Sequence, residues 1–200
     1  MKVAIIDYNA GNVQSVIYAL NRLGIEPILT NDVDEIKSAD KVIFPGVGEA
    51  SSCMKSLKEA KLYELIPTLK QPFLGICIGL QLMCEHSEEG NVDCLGIFPL
   101  KVKKFSTTNA HGETFKVPHM GWNTITSLQT TLLKETIEQS YVYYVHSYFA
   151  ELSETYTIAK SDYANEYSAA LKKDNFYAVQ FHPEKSGDIG SQILKQFIEM

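Results

Sequence analysis

The chain has 200 residues, 45% of them hydrophobic and 21% charged, a balance ordinary for a globular protein able to bury a proper core. Its formal net charge of −6 and pI near 5.4 argue against a nucleic-acid or anionic-membrane surface, either of which needs clustered Lys and Arg. No stretch approaches the roughly 18 apolar residues of a membrane helix, and the short apolar opening is broken by Asp7. The expectation is a cytoplasmic protein with one domain over residues 1–200.

Lys2 to Ile6 reads as a buried strand of β-branched residues. After a turn over Asp7 to Gly11, the apolar positions Val13, Val16, Ile17 and Leu20 recur at i, i+3, i+4 and i+7. They predict a helix from about Asn12 to Leu23, stopped by Gly24. Strand signals follow at Pro27 to Leu29 and Lys41 to Phe44, then a helix from about Ala50 to Ala60. Phe73 to Ile76 is another short apolar strand, leading into a helix from about Ile78 to His86. This alternation predicts an α/β fold, a mixed and mostly parallel sheet flanked by helices.

Beyond Gly90 the character changes. Lys101 to Phe105, Thr114 to Val117, Tyr141 to Val145, Tyr156 to Ala159 and Tyr177 to Phe181 read as strands, and helical signal returns only at Ile189 to Ile198. An antiparallel addition to the sheet is expected there. No repeat, low-complexity stretch or linker marks a domain boundary.

Four cysteines are present: Cys53, Cys77, Cys84 and Cys94. None forms a Cys-x-x-Cys pair or stands beside a His cluster, so a zinc site is not expected. A reducing compartment disfavours disulfides. Cys53, Cys84 and Cys94 read as small buried apolar residues. Cys77 has different neighbours. Gly75-Ile76-Cys77-Ile78-Gly79 joins a predicted strand to a predicted helix with the spacing of a nucleophile elbow. Such a turn is sharp, so its flanking positions must lack bulk. It places the sulfur where unpaired helix N–H groups favour a thiolate, and turns the Ile78 amide toward a developing oxyanion. On the pentapeptide alone, an ordinary strand–helix turn with a buried thiol is an equally good reading.

A thiol with a pKa of about 8.5 needs a base at neutral pH. Of the five histidines, His182 alone is followed by Pro and Glu at the end of a strand signal. Pro183 ends the strand, and the sharp turn of His-Pro-Glu lets Glu184 reach the imidazole. A carboxylate on one ring nitrogen leaves the other to take the thiol proton. Taken with the elbow, Cys77, His182 and Glu184 read as nucleophile, base and orienting carboxylate.

These residues, in this order, resemble the class I (triad) glutamine amidotransferases over nearly the whole chain. The resemblance implies a flavodoxin-like architecture and hydrolysis of the glutamine side chain to glutamate and ammonia, by a mechanism that needs no metal and no cofactor. Within the class, four segments resemble the glutaminase subunits of imidazole glycerol phosphate synthases. They are Ile6 to Val13, Phe44 to Gly48, Pro118 to Asn123 and Gln180 to Ser186. Asn9 and Ser15 depart from the pattern, where members carry Gly and Asn, and bear on partner contacts rather than the triad.

The resemblance also implies roles for other residues. Gly46, Val47 and Gly48, with Ile78, match the oxyanion-hole elements. Gln81, Glu89, His146, Ser147 and Tyr148 match substrate-binding positions. Asn12, Trp122 and Lys185 match the partner interface. The implied substrate is L-glutamine, and the implied partner a (β/α)8-barrel cyclase subunit that uses the ammonia to make imidazole glycerol phosphate in histidine biosynthesis. The alternatives are the glutaminase of another biosynthetic complex and a catalytically silent subunit of the same fold.

Overall fold

The computed structural model describes residues 1–8, 13–109 and 111–200. The first half runs β1 (Val3–Ile6), α1 (Gln14–Arg22), β2 (Ile28–Thr30), α2 (Val33–Ser38), β3 (Lys41–Phe44), α3 (Ala50–Glu59), β4 (Phe73–Ile76) and α4 (Ile78–Met83). The second half is mostly strand. It runs β5 (His86–Ser87), β6 (Val92–Asp93), β7 (Lys101–Lys104), β8 (His119–Thr124), β9 (Tyr141–His146), β10 (Tyr148–Ala150), β11 (Thr157–Tyr163), β12 (Asn165–Lys173), β13 (Phe176–Val179) and α5 (Gly187–Glu199).

Seven strands form the central sheet in the order β11-β12-β13-β4-β3-β1-β2. From β2 to β13 every pairing is parallel, and β12 and β11 extend one edge antiparallel. The mixed, mostly parallel α/β sheet expected from the alternation is therefore present. Side chains on its inner strands divide by the period of two. Ala4, Ile6, Val42, Phe44 and Phe73 face a core built with α2, α3 and α4. Val3, Ile5, Ile43, Leu74 and Ile76 face a second core built with α1 and α5. Burial on both faces explains why these strands read as unbroken apolar runs. Each large side chain buried this way contributes about 1.5–3 kcal/mol of transfer free energy.

A four-stranded sheet (β10-β7-β5-β6) and the antiparallel pair β8–β9 make up the rest. The site is positioned by three neighbours in the main sheet: β3, β4 and β13. Phe44 lies level with Gly75, and Ile76 level with Val179. All three strands run the same way, so the segments that follow them leave at one carboxyl edge. Those segments are Pro45 to Gly48, the Cys77 turn, and Gln180 to Glu184.

The structure corrects several boundaries. Thr114 to Val117 is not a strand; Thr114 makes one isolated bridge to Thr108, and extended pairing begins only at His119. The helix after Cys77 ends at Met83, because the chain turns extended at Cys84 and starts β5 at His86. The last strand stops at Val179, ahead of Phe181. Two long elements went unforeseen in the sequence. β8 carries Gly and polar residues, and β12 reads Asn-Glu-Tyr-Ser-Ala-Ala-Leu-Lys-Lys, rich in helix formers. β12 is a strand because its middle, Tyr167 to Leu171, is buried between β11 and β13. Tertiary packing outweighs intrinsic propensity there.

Candidate active site

Cys77 sits between β4 and α4 with φ 54° and ψ −107°, a conformation strained for a residue with a Cβ. Its amide donates to the Val179 carbonyl at 2.8 Å, tying the turn to β13. The turn closes this tightly because Gly79 lies against the end of β3, where an added Cβ would land on the Phe44 carbonyl oxygen. Ile78, the first residue of α4, presents an amide with no acceptor among the described residues.

His182 stands three residues past the end of β13. Its amide donates to the Tyr143 carbonyl at 2.9 Å. Ser186 clips the same place from the other side: its hydroxyl donates to the His182 carbonyl at 2.6 Å and accepts from the Tyr143 amide at 2.9 Å. Pro183–Lys185 form a 3-10 turn, which brings Glu184 Oε1 to 2.7 Å from His182 Nδ1. Both side chains are almost wholly buried, at 3% and 4% exposure. Nδ1 therefore carries its proton toward the carboxylate, and Nε2 is the atom left for the sulfur. Nε2 makes no hydrogen bond to any described residue. Burial works against a charged imidazole. The negative Cys77 sulfur and, after it, Glu184 outweigh burial and hold the His182 pKa up at about 10. The arrangement suits a histidine that holds a proton close to the Cys77 sulfur.

The sulfur opens onto a cavity of about 270 Å³. Its wall contains Cys77, the expected nucleophile, with Val47, Gly48, Ile78, Gln81, Glu89, His146, Ser147 and Tyr148, all expected at an oxyanion or substrate position, together with Pro118 and Val145. Gly46 is not in the wall. It is packed beneath it, where a Cβ would strike the Ile78 side chain and the Tyr8 hydroxyl. Tyr8 in turn donates to the Pro45 carbonyl at 2.8 Å and fixes the start of that loop.

The polar groups of the wall are partly committed to the protein. Glu89 accepts from the Ala50 amide at 2.9 Å through Oε2. Burial raises its pKa, the Ala50 amide lowers it, and Glu49 nearby raises it again. Gln81 spends its amino group on the Tyr148 carbonyl at 2.8 Å and on Gln180 at 3.1 Å, leaving its oxygen for a ligand. His146 is driven down to a pKa of about 3 by burial, only partly offset by its bond to the Tyr148 carbonyl, so it is a neutral ring. The Tyr148 carbonyl is thus already taken.

The remaining cysteines differ in kind from Cys77. Burial, with nearby acidic groups, pushes Cys53 to about 11 and Cys94 to about 12, and Cys84 rises well above the ordinary thiol value. None of them lines the cavity. Lys185 is exposed immediately after Glu184, and Trp122 is 55% exposed on β8; neither enters the wall. Asn12 lies outside the described residues. Among the described residues no three His, Cys, Asp or Glu side chains come together as a metal-holding group, and no helix is long and apolar enough to cross a membrane.

Sequence reasoning missed Pro118, Val145, Tyr8 and Gln180. For Gln180 a signal existed: it is the one amide in the apolar run Tyr177 to Phe181.

Comparison with known proteins agrees with this geometry. Residues 4–200 match the family described as glutamine amidotransferase class-I. A protein of Bacteroides fragilis named imidazole glycerol phosphate synthase subunit HisH is 58% identical over 200 residues, covering all of both chains. Its counterparts in Bacteroides thetaiotaomicron and Idiomarina loihiensis are 54% and 42% identical, covering all of this chain and 100% and 98% of theirs. Among solved structures, a putative GMP synthase component from Thermoplasma acidophilum shares the fold with a TM-score of 0.74 at 20% identity, over 100% of this chain and 92% of that one. A structure described as a glutamine amidotransferase gives 0.75 at 17% identity, over 100% and 98%. The chain belongs to the class-I glutamine amidotransferase family.

Proposed function

We propose that this chain is the glutaminase subunit of an imidazole glycerol phosphate synthase, with residues 1–200 acting as one catalytic domain in the cytoplasm. The observation that carries the reading is Cys77, strained and buried at the wall of a cavity, with a buried histidine whose pKa the Cys77 sulfur and then Glu184 hold up against burial, and whose Nδ1 lies 2.7 Å from Glu184. Full-length similarity to HisH proteins supports the choice of complex.

In this reading the Cys77 thiolate attacks the glutamine carboxamide carbon. The oxyanion meets the Ile78 amide and the Val47 segment, with Gly46 and Gly48 on either side. His182 gives its proton to the departing nitrogen, the C–N bond breaks, and ammonia leaves a thioester on Cys77. Water then attacks with His182 as base, releasing glutamate and restoring the thiolate–imidazolium pair. Glu184 holds the imidazole throughout. Glu89 receives the substrate's α-amino group. Gln81 and the His146-Ser147-Tyr148 segment line the rest.

Ammonia released here needs a consumer, and the proposed one is a (β/α)8-barrel cyclase subunit. β8 supports a docking face near the site: Met120 and Trp122 share one side of the strand and are 63% and 55% exposed. Exposed Lys185 adds an ionic contact close to the triad, and the resemblance places Asn12, outside the described residues, at the same interface.

The test is glutamate release by the chain, alone and with the candidate barrel loaded with its phosphosugar ligand. Stimulated release, abolished by Cys77→Ala, is expected. A glutamine-analogue electrophile should label Cys77 and spare the other three thiols. Equal labelling of all four would remove the basis for the reading.

A further inference from the structure

We propose that Gln180 is a second hydrogen-bond donor to the Cys77 sulfur, aimed there by a chain of bonds whose direction the Tyr148 carbonyl dictates. The proposal rests on Cys77 being the nucleophile. Gln180 is fully buried two residues before His182, and a buried amide must find partners for both its ends.

Which end faces which neighbour follows from valence. A carbonyl only accepts, so the Gln81 atom 2.8 Å from the Tyr148 oxygen is its amino group. The same amino group lies 3.1 Å from Gln180, which must answer with its oxygen. The Gln180 amino group is then the end 3.7 Å from Cys77 Sγ. Turning either amide over would set amino against amino or oxygen against oxygen. The far end of the chain is braced as well. His146 Nδ1 lies 2.7 Å from the same carbonyl and must donate to it. Its Nε2 is then bare, and accepts from His119 Nδ1 at 3.3 Å.

The sulfur needs such a donor. Its other near neighbour, the Val145 carbonyl at 3.9 Å, opposes negative charge. Negative charge sits on sulfur twice per turnover, at attack and again when the thioester opens. His182 gives its proton to ammonia and regains one from the attacking water, so its charge changes within the turnover. Gln180 does not titrate, so its N–H stays in place through both steps.

The experiment uses the full chain with Gln180→Met and Gln180→Glu. Readouts are the pH profile of Cys77 alkylation by iodoacetamide, kcat and KM for glutamine, and thermal stability. In Gln180→Met the alkylation midpoint should rise by about one pH unit and kcat fall roughly tenfold, the scale of one hydrogen bond to a charged group. Gln180→Glu keeps an acceptor for Gln81, so KM should hold while the midpoint rises further. Lower stability and altered KM with an unmoved midpoint would mean that Gln180 only packs, and the proposal fails. Should neither variant fold, the Gln180 side-chain amide signal of the wild-type chain decides by NMR. It should shift when Cys77 is alkylated, and an unshifted signal overturns the proposal. A wild-type Cys77 that a glutamine-analogue electrophile leaves unlabelled removes the nucleophile reading itself, and with it this one; labelling with an unmoved midpoint removes this one alone.

Discussion

Two neighbouring strands of the same sheet end in glycine-flanked turns that the protein treats in opposite ways. After β4, the Cys77 turn is anchored on every side: its amide on Val179, Gly79 against the Phe44 carbonyl, and the sulfur in reach of Gln180. After β3, the described residues anchor the loop at its start, by Tyr8 on Pro45 and by the packing of Gly46. Val47 is 38% exposed, and Gly48 sits at φ 135° with one neighbour near its missing side chain, Cys53 Sγ at 3.3 Å. In the proposed mechanism the contrast matches two chemical tasks. A nucleophile and its base must be held to within a fraction of an ångström, whereas an oxyanion donor can be supplied or withheld by turning a peptide.

The largest effect should come from breaking the anchored side. Gly79→Ala forces a methyl group onto a backbone oxygen that cannot rotate away, so urea denaturation should show a loss of about 3 kcal/mol or more. A variant of near wild-type stability would mean that the turn has slack. Next comes Glu184→Gln, which keeps the shape but not the charge that supports the imidazolium. Steady-state kinetics should show kcat down by roughly 10²–10⁴-fold with KM little changed. An unchanged kcat would remove Glu184 from its role.

How far the site could be read from the sequence follows the same division. The elbow glycines, Cys77 and His-Pro-Glu are local patterns whose constraints lie within five residues of each other, and the structure brings them together. The parallel half of the sheet was legible because its strands are buried on both faces and read as apolar runs. β12 was not, because Ala, Leu and Lys become a strand there only through pairing with β11 and β13. Gln180 was passed over for a related reason: its partners Cys77 and Gln81 lie 103 and 99 residues away. The elbow helix is shorter than its apolar period, which runs on past the point where Cys84 turns extended.

Acid tests the anchored side from beneath. Burial lowers His119 to about 4 and His146 to about 3, so both stay neutral in the fold where the unfolded chain takes up protons near the ordinary value of 6.5. Between pH 6.5 and about 4 the unfolded state binds more protons than the folded one, and stability falls as pH falls. The urea midpoint should drop across that window, and His146→Gln should make the drop shallower. A midpoint flat from pH 7 to 4 would mean that the two rings are already charged in the fold; His146 Nδ1 would still donate to the Tyr148 carbonyl, but Nε2 could no longer accept from His119.

The smallest and most selective effect belongs to the open side. At φ 135° an alanine is strained by about 1–3 kcal/mol, while its Cβ meets only a single flexible neighbour at 3.3 Å. Gly48→Ala should therefore fold and bind glutamine much as the parent does, since it removes no polar group from the cavity wall. Its strain falls on the present loop conformation, and a turned loop that leaves the left-handed region would be relieved of it. If turning the Val47 peptide switches the second oxyanion donor on, alanine raises the share of turned loops before any partner arrives. Unstimulated turnover should then rise by up to about tenfold for each 1.4 kcal/mol of strain released, and stimulation by the ligand-loaded partner should shrink by the same factor. The ceiling is the roughly 10²–10³-fold that one oxyanion donor supplies. The two arms must move in opposite directions to support a gate. A parallel fall in both would mean that Gly48 only shapes the wall, and unchanged rates in both would place the control of this enzyme somewhere other than this loop.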